Sequence, residues 1–388
     1  MAESNKLSDD NHLRNALVLS GGGARAAYQV GVLKAIADIM PEETKQPFGI
    51  ICGTSAGAIN ATALACYADN YRNAVYEVEH VWKTFTPDKV YRTDPIGVTV
   101  NAARWIAGLL IAMPNRAISL LDNSPLRALL ERSMAFQNIQ ENIDAGHLRA
   151  LSVTASGYNS GHSVAFFQGS PDISSWKRFQ RVGLRTQLSV SHLLASSAIP
   201  AIFPATRINR EYYGDGAMRQ LAPLSPALHL GADKIFVVGV SGNRSAPQVR
   251  RPTDGYPSLA QISGHLLNSV FLDSLEYDVE RLERINDSLT MIPGHVLNKH
   301  GVTLRPVDCL VISPSQCLDQ IASRYLKTLP ATIRFFLHGI GATRSSGSSI
   351  LSYLLFERLF CHDLIELGYH DAMEVRVEIE SFFGIDVP

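Results

Sequence analysis

Two short apolar runs, each ending in a glycine-rich turn and passing into a helical pattern, constrain this chain more than any other feature. Ala16 to Ser20 runs into Gly21-Gly22-Gly23, after which Tyr28, Val32, Ala35, Ile36 and Ile39 recur at helical spacing. Phe48 to Cys52 runs into Gly53-Thr54-Ser55-Ala56-Gly57 and a second helical stretch. Strand, turn, helix, repeated with such short connections, is the pattern of a parallel sheet whose crossovers are helices. Both turns then lie at the carboxyl edge of that sheet. Further strands are predicted at 150–156, 163–168, 208–213, 234–240 and 309–313. A long amphipathic helix is predicted over 258–285, where Leu259, Ile262, Leu266, Leu275 and Leu282 fall on one stripe. The stretches 87–120 and 286–307 read as loops with short helices.

Composition excludes several classes. Of 388 residues, 46% are hydrophobic and 18% charged, which supports a large buried core and argues against disorder. Thirty-five basic and 36 acidic residues leave a net charge of −1, so wholesale capture of nucleic acid is not expected, although a local basic patch survives the averaging. The five cysteines include no CxxC and no pairing with His at zinc spacing, so neither a structural metal nor a disulfide framework is expected, and no cofactor either. Residues 1–14 form a loose polar tail without the apolar run of a secretory signal. The apolar stretch from Trp105 to Met113 is about half the ~20 residues that a spanning helix needs. The expectation is a cytoplasmic protein, in peripheral contact with a membrane at most.

The chemistry is concentrated in the turns. Gly53-x-Ser55-x-Gly57 between a strand and a helix has the form of a nucleophile elbow. A cramped backbone there projects the serine hydroxyl at the positive end of a helix, where a developing negative charge is favoured. The bland alternative is a glycine-rich turn capped by Ser55. In the first turn, the N–H groups of Gly21, Gly22 and Gly23 are unobstructed and can point at one negative oxygen. The alternatives are a plain turn or a nucleotide loop. A dinucleotide site lacks its third glycine, since residue 26 is Ala, and a P-loop lacks its Lys. A serine needs a base. Asp215, flanked by Gly214 and Gly216 after a strand-like run, is the acid in the most distinctive setting, though Asp-Gly is also a common turn. No later histidine sits in a comparable context, so spacing neither nominates nor excludes a third member.

Gly21-Gly22-Gly23-Ala24-Arg25, Gly53-Thr54-Ser55-Ala56-Gly57 and Asp215-Gly216-Ala217, in that order, resemble the patatin-like phospholipase family. Ala195 to Pro204 and Asp122-Asn123-Ser124-Pro125-Leu126 are similar to it too, the latter as in bacterial members. The resemblance covers roughly residues 15–240. It implies a three-layer α/β/α fold with a mainly parallel central sheet. It also implies a Ser55–Asp215 dyad without a catalytic histidine, and hydrolysis of fatty acyl esters of lipids of the phospholipase A or lysophospholipase type. Arg25, Gly53, Gly57 and Gly216 support the motifs.

One position departs from the family, which usually has Gly where this chain has Ala26. A positive φ there would strain alanine, whereas the first turn of a helix suits it. The catalytic domain is expected over 15–240, with a mainly helical extension over 241–388 packed on it.

The substrate expected is a phospholipid or other acyl lipid, met in transient contact with a membrane surface. The segment 101–116, with Trp105, Leu109 and Leu110 between Arg104 and Arg116, has the makeup of an interfacial element or of a core helix. Lys177, Arg178, Arg181 and Arg185 form a basic cluster that is either a headgroup contact or a solvated face. Arg25 either holds a lipid phosphate or sits at a solvated helix start. Acyl transfer to a lipid alcohol and non-catalytic lipid binding are the alternative functions.

Overall fold

The structure is a computed structural model that describes residues 12–94, 97, 100–101, 103, 119–241, 259–271, 273–293, 296–297, 304–331, 334 and 348–385. A ten-stranded sheet runs through its centre. Its strands are β1 (Asn15–Leu19), β2 (Ile50–Thr54), β3 (Ala150–Gly157), β4 (Ser163–Gly169), β5 (Trp176–Arg178), β6 (Arg181–Arg185), β7 (Thr206–Ile208), β8 (Glu211–Asp215), β9 (Lys234–Val238) and β10 (Asp308–Ile312). The order is β10-β9-β1-β2-β3-β4-β6-β5, and β7 and β8 form a hairpin attached to β3. From β10 to β3 every neighbour is parallel. β1, β2 and β9 are mostly apolar and almost wholly buried, as strands of a parallel sheet covered on both faces are, while the edge strand β10 is partly exposed.

The glycine-rich turn after β1 leads through a short 3₁₀ turn into helix α1 (Ala27–Ile39), and the turn after β2 leads into α2 (Ala56–Cys66). Helices α3 (Tyr71–Lys83) and α4 (Ser124–Ser133) lie in the same layer. The larger hydrophobic core joins that layer to the sheet, and a second cluster around Ile50, Phe167, Leu224 and Ile235 fills the other face. The region after residue 240 supplies β10 at the sheet edge as well as helices. One of these, α5 (Arg358–Glu374), packs so closely on α1 that a Cβ at Gly31 or Gly368 would strike its backbone neighbour.

Most predicted strands lie where expected. The single strand predicted over 208–213 is instead the β7–β8 hairpin, because the chain turns at Asn209-Arg210. The helix expected over 258–285 is described as Leu259–Phe271 and Asp273–Thr290, on either side of residue 272. The candidate interfacial segment 101–116 lies almost wholly outside the described residues. Among the described residues no helix is long and apolar enough to cross a membrane.

Candidate active site

The register of the sheet decides what meets Ser55. β1 and β2 are neighbours with Leu19 level with Gly53, so the Gly21–Gly23 turn and the Ser55 turn leave the sheet side by side. β3 is longer than β2. It pairs with β2 as far as Thr54↔Thr154, and its next residue, Ala155, pairs with Asp215 of β8. Asp215 therefore occupies the place that β2 vacates when the chain turns at Ser55. The Ser55 Oγ donates a hydrogen bond of 2.6 Å to Asp215 Oδ2.

The Ser55 backbone has φ 55° and ψ −128°, a region that non-glycine residues seldom enter and that costs about 1–3 kcal/mol. Close packing holds it there. A Cβ on Gly53 would lie 2.5 Å from the Ala58 Cα, and one on Gly57 would lie 2.5 Å from the Leu19 carbonyl oxygen. The two glycines thus let helix α2 start against the ends of β1 and β2. The Ser55 N–H donates to Ser196 Oγ at 2.8 Å, and Ser196 Oγ donates to the Thr154 carbonyl at 2.6 Å. Gln220 bridges the same strand ends, accepting from Thr54 Oγ1 at 2.7 Å and donating to Thr154 Oγ1 at 3.3 Å.

Asp215 is fully buried. Burial pushes its carboxyl up from 3.8 to about 7, against the pull of the Ser55 hydroxyl and the Ala217 N–H, which donates to Oδ1 at 3.0 Å. Gly216 allows the turn after Asp215 to press on the Thr154 carbonyl. Among the described residues no histidine bonds to Ser55 or Asp215.

The first turn is buried and adjoins Ser55. Gly23 has φ 57° and no room for a side chain, since the Tyr353 carbonyl occupies the space. Among the described residues no acceptor takes a hydrogen bond from the N–H of Gly21, Gly22 or Gly23. Ala26 has φ −65° and ψ −9°, ordinary helical backbone, so its departure from the family is harmless. Arg25 is buried, with its guanidinium 2.6 Å from Asp319, 2.9 Å from Ser352 Oγ and stacked over the Tyr353 ring. Arg25 therefore does not sit at a solvated helix start, but ties the glycine turn to the C-terminal region.

Sequence reasoning also missed a buried amide network behind the turn. Gln29 Nε2 donates to the Ser20 carbonyl, and Asn60 Nδ2 donates to Gln29 Oε1 and the Ala26 carbonyl. Trp82 Nε1 donates to Asn60 Oδ1 at 2.8 Å. Spacing carries no signal for such contacts, because they join three helices.

Beside Ser55 opens an apolar cavity of about 290 Å³. Ile59 and Ala63 of α2, Val78 and Trp82 of α3, Leu130 of α4 and Phe203 line it, together with Gly23 and Ser55. The Asp122–Leu126 motif serves this wall. Asp122 Oδ1 accepts from the Ser124 N–H at the start of α4, and Leu126 faces the cavity. A polar hydroxyl and free amides at one wall of an apolar cavity suit an ester joined to a hydrocarbon chain. Among the described residues, His370, Asp371 and Glu374 come together as a metal site would require. The Asp371 carboxylate, however, is engaged by the Tyr28 hydroxyl and by the N–H and hydroxyl of Ser315.

The family model described as patatin-like phospholipase matches residues 17–228. A cGAMP-activated phospholipase of Pseudomonas aeruginosa is 26% identical over 215 residues, which are 55% of this chain and 56% of that protein. A cUMP-AMP-activated phospholipase of Escherichia coli is 30% identical over 118 residues, 25% of this chain and 36% of that protein. Lysophospholipase nte1 of Aspergillus terreus is 53% identical over 53 residues, 14% of this chain and 3% of that protein. The chain thus spans about half the length of the first relative and less of the others. The crystal structure of VipD from Legionella pneumophila covers 94% of this chain and 67% of VipD, at 13% identity and a TM-score of 0.35, a likeness too slight to bear on the fold.

Proposed function

The chain belongs to the patatin-like phospholipase family, and on that premise we propose that it is a serine lipid acyl hydrolase working through a Ser55–Asp215 dyad. The observation that carries this reading is the 2.6 Å hydrogen bond between Ser55 and a buried carboxylate whose pKa lies near neutrality. Asp215 takes the Ser55 proton as the oxygen attacks the acyl carbonyl. The carbonyl oxygen becomes negative and is held by N–H groups of Gly21–Gly23, where one donor is typically worth about 3 kcal/mol in the transition state. The carbon–oxygen bond to the alcohol breaks, and the alcohol leaves with the proton from Asp215. Water then attacks the acyl-enzyme with Asp215 as base again, the bond from the acyl carbon to Ser55 Oγ breaks, the fatty acid leaves, and Asp215 returns the proton to Ser55. The acyl chain lies in the cavity beside Ser55, as in phospholipase A or lysophospholipase chemistry.

The substrate is met in transient contact with a membrane surface, by a protein that is otherwise cytoplasmic. The test is product analysis on mixed phospholipids. We expect free fatty acid and lysolipid from the wild type, and no product and no fluorophosphonate labelling with Ser55→Ala. Labelling that persists in Ser55→Ala refutes the nucleophile, and acyl transfer to a lipid alcohol in place of free acid refutes hydrolysis.

A second reading concerns control. Two relatives are named for activation by cGAMP and by cUMP-AMP. The tie from Arg25 to Asp319 and Ser352 offers a path by which a ligand of the C-terminal region would reach the glycine turn. Hydrolysis measured with and without each nucleotide tests it.

A further inference from the structure

Three turns of the sheet project from the same edge as Ser55 and Asp215. The β3–β4 turn lies beyond the Ser156↔Ser163 pair. The β5–β6 turn lies beyond Arg178↔Arg181, and Arg181 is level with Ser163. The β7–β8 turn lies beyond Ile208↔Glu211, on the hairpin whose Tyr213 pairs with Gly157. These turns expose large apolar side chains. Phe179, at the tip of β5–β6, is 87% exposed, and Leu221, a few residues after Asp215, is 72% exposed. Tyr158, on the β3–β4 turn, and Tyr212, near the start of β8, are each half exposed.

Around them stand Lys177, Arg178, Arg181, Arg207, Arg210 and Arg219. Among the described residues none of these six is in an ion pair. The acids nearby are Asp215, buried beneath, Glu211, which accepts the N–H groups of Asn159 and Ser160, and Asp278, buried on the helix Asp273–Thr290, which accepts the Leu224 N–H and lies near Arg181. In a chain of net charge −1 this face is a concentrated positive patch with aromatic tips. Arg185, grouped with the cluster in the sequence, does not belong to it: its guanidinium caps carbonyls at the other end of β6.

We propose that this face docks on an anionic phospholipid surface, with Phe179 entering the headgroup layer and the six cations facing lipid phosphates. The inference rests on the reading of the site as a lipid hydrolase, and it specifies which surface presents that site to its substrate. The chemistry is that of an interfacial anchor, apolar side chains flanked by basic ones. The chain runs straight from this face into the site. Phe203 of the cavity wall leads into β7, and Asp215 leads into the turn bearing Arg219 and Leu221.

The test is flotation of the full chain, carrying Ser55→Ala to prevent hydrolysis, with vesicles of phosphatidylcholine alone or mixed equally with phosphatidylglycerol. We expect binding to the mixed vesicles only. Each cation near such a surface contributes about fivefold in affinity, so Lys177→Gln/Arg178→Gln/Arg181→Gln is expected to weaken binding about a hundredfold. Phe179→Ser is expected to weaken it further. With Ser55 restored, both variants are expected to turn over a soluble short-chain ester as the wild type does. If the triple variant loses that turnover through misfolding, Arg207→Gln/Arg210→Gln on the separate hairpin takes its place, with an expected loss of about 25-fold.

Undiminished binding to mixed vesicles by a variant that folds overturns the proposal. So does tighter binding to a single-stranded oligonucleotide than to the vesicles. A wild type that docks but hydrolyses no ester refutes the hydrolase reading and leaves the docking face standing; one that hydrolyses soluble ester but ignores the vesicles does the reverse.

Discussion

Asp215→Asn separates what the buried carboxylate contributes to catalysis from what it does to stability. The folded protein moves this carboxyl from 3.8 up to about 7, chiefly by burial. At about 1.4 kcal/mol per pH unit, that difference is about 4 kcal/mol between the protonated and ionised forms. The folded state holds the proton more tightly than the unfolded chain. The favourable contribution is therefore fully present below pH 3.8 and lost as pH rises towards about 7. Asparagine keeps an acceptor for Ser55 or Ala217 and never ionises. Urea unfolding of the two proteins should therefore diverge with pH, the variant gaining on the wild type by up to about 4 kcal/mol between acid and mildly alkaline solution.

Activity moves the other way. The base must be ionised to take the Ser55 proton, so wild-type kcat/KM on a soluble ester should rise with a midpoint near pH 7, set by Asp215, and the variant should be inactive throughout. A stability gap that does not change with pH, together with a rate midpoint near that of an exposed carboxyl, would refute both the burial argument and the assignment of the base.

Two further predictions concern residues that touch no reacting atom. Asn60→Ala removes the link between Gln29, the Ala26 carbonyl and Trp82. We expect a loss of about 1–3 kcal/mol in stability from the partners left unpaired, and a drop of about tenfold in kcat as the glycine donors lose their alignment. KM should change little, and rescue by Asn60→Gln in kcat alone would mark a positioning role. Ser196→Ala leaves the Ser55 N–H without its acceptor. We expect a lower melting temperature and a slower rate of fluorophosphonate labelling at Ser55, and a labelling rate equal to the wild type would show that glycine packing alone holds the elbow.

The elements flanking the site were legible because their signals are local. An apolar run ending in glycines, followed by helical periodicity, specifies strand, turn and helix within some 20 residues, and that was enough to put Gly21–Gly23 and Ser55 at one sheet edge. Ala26 could be judged from the turn it enters, and its backbone is helical. Asp215 stood out by its glycine neighbours, but nothing in its own segment says how far β8 runs past β2. That depends on the register of β3 with both β2 and β8, strands far apart in the chain, and register follows from which side chains the assembled layers bury.

The same reason governs what was misread. Arg25 has the makeup of a solvated residue at a helix start until the turn that carries it is packed against Ser352 and Asp319. Arg185 belongs to a basic cluster in the linear chain, yet β6 carries it to the opposite end of the strand. Residue types and their short-range order set the candidates for chemistry. The tertiary structure alone removed water from one carboxylate, brought polar side chains from three helices into contact and turned three hairpin tips towards one side, because desolvation and long-range contact belong to the assembled layers and to no single segment.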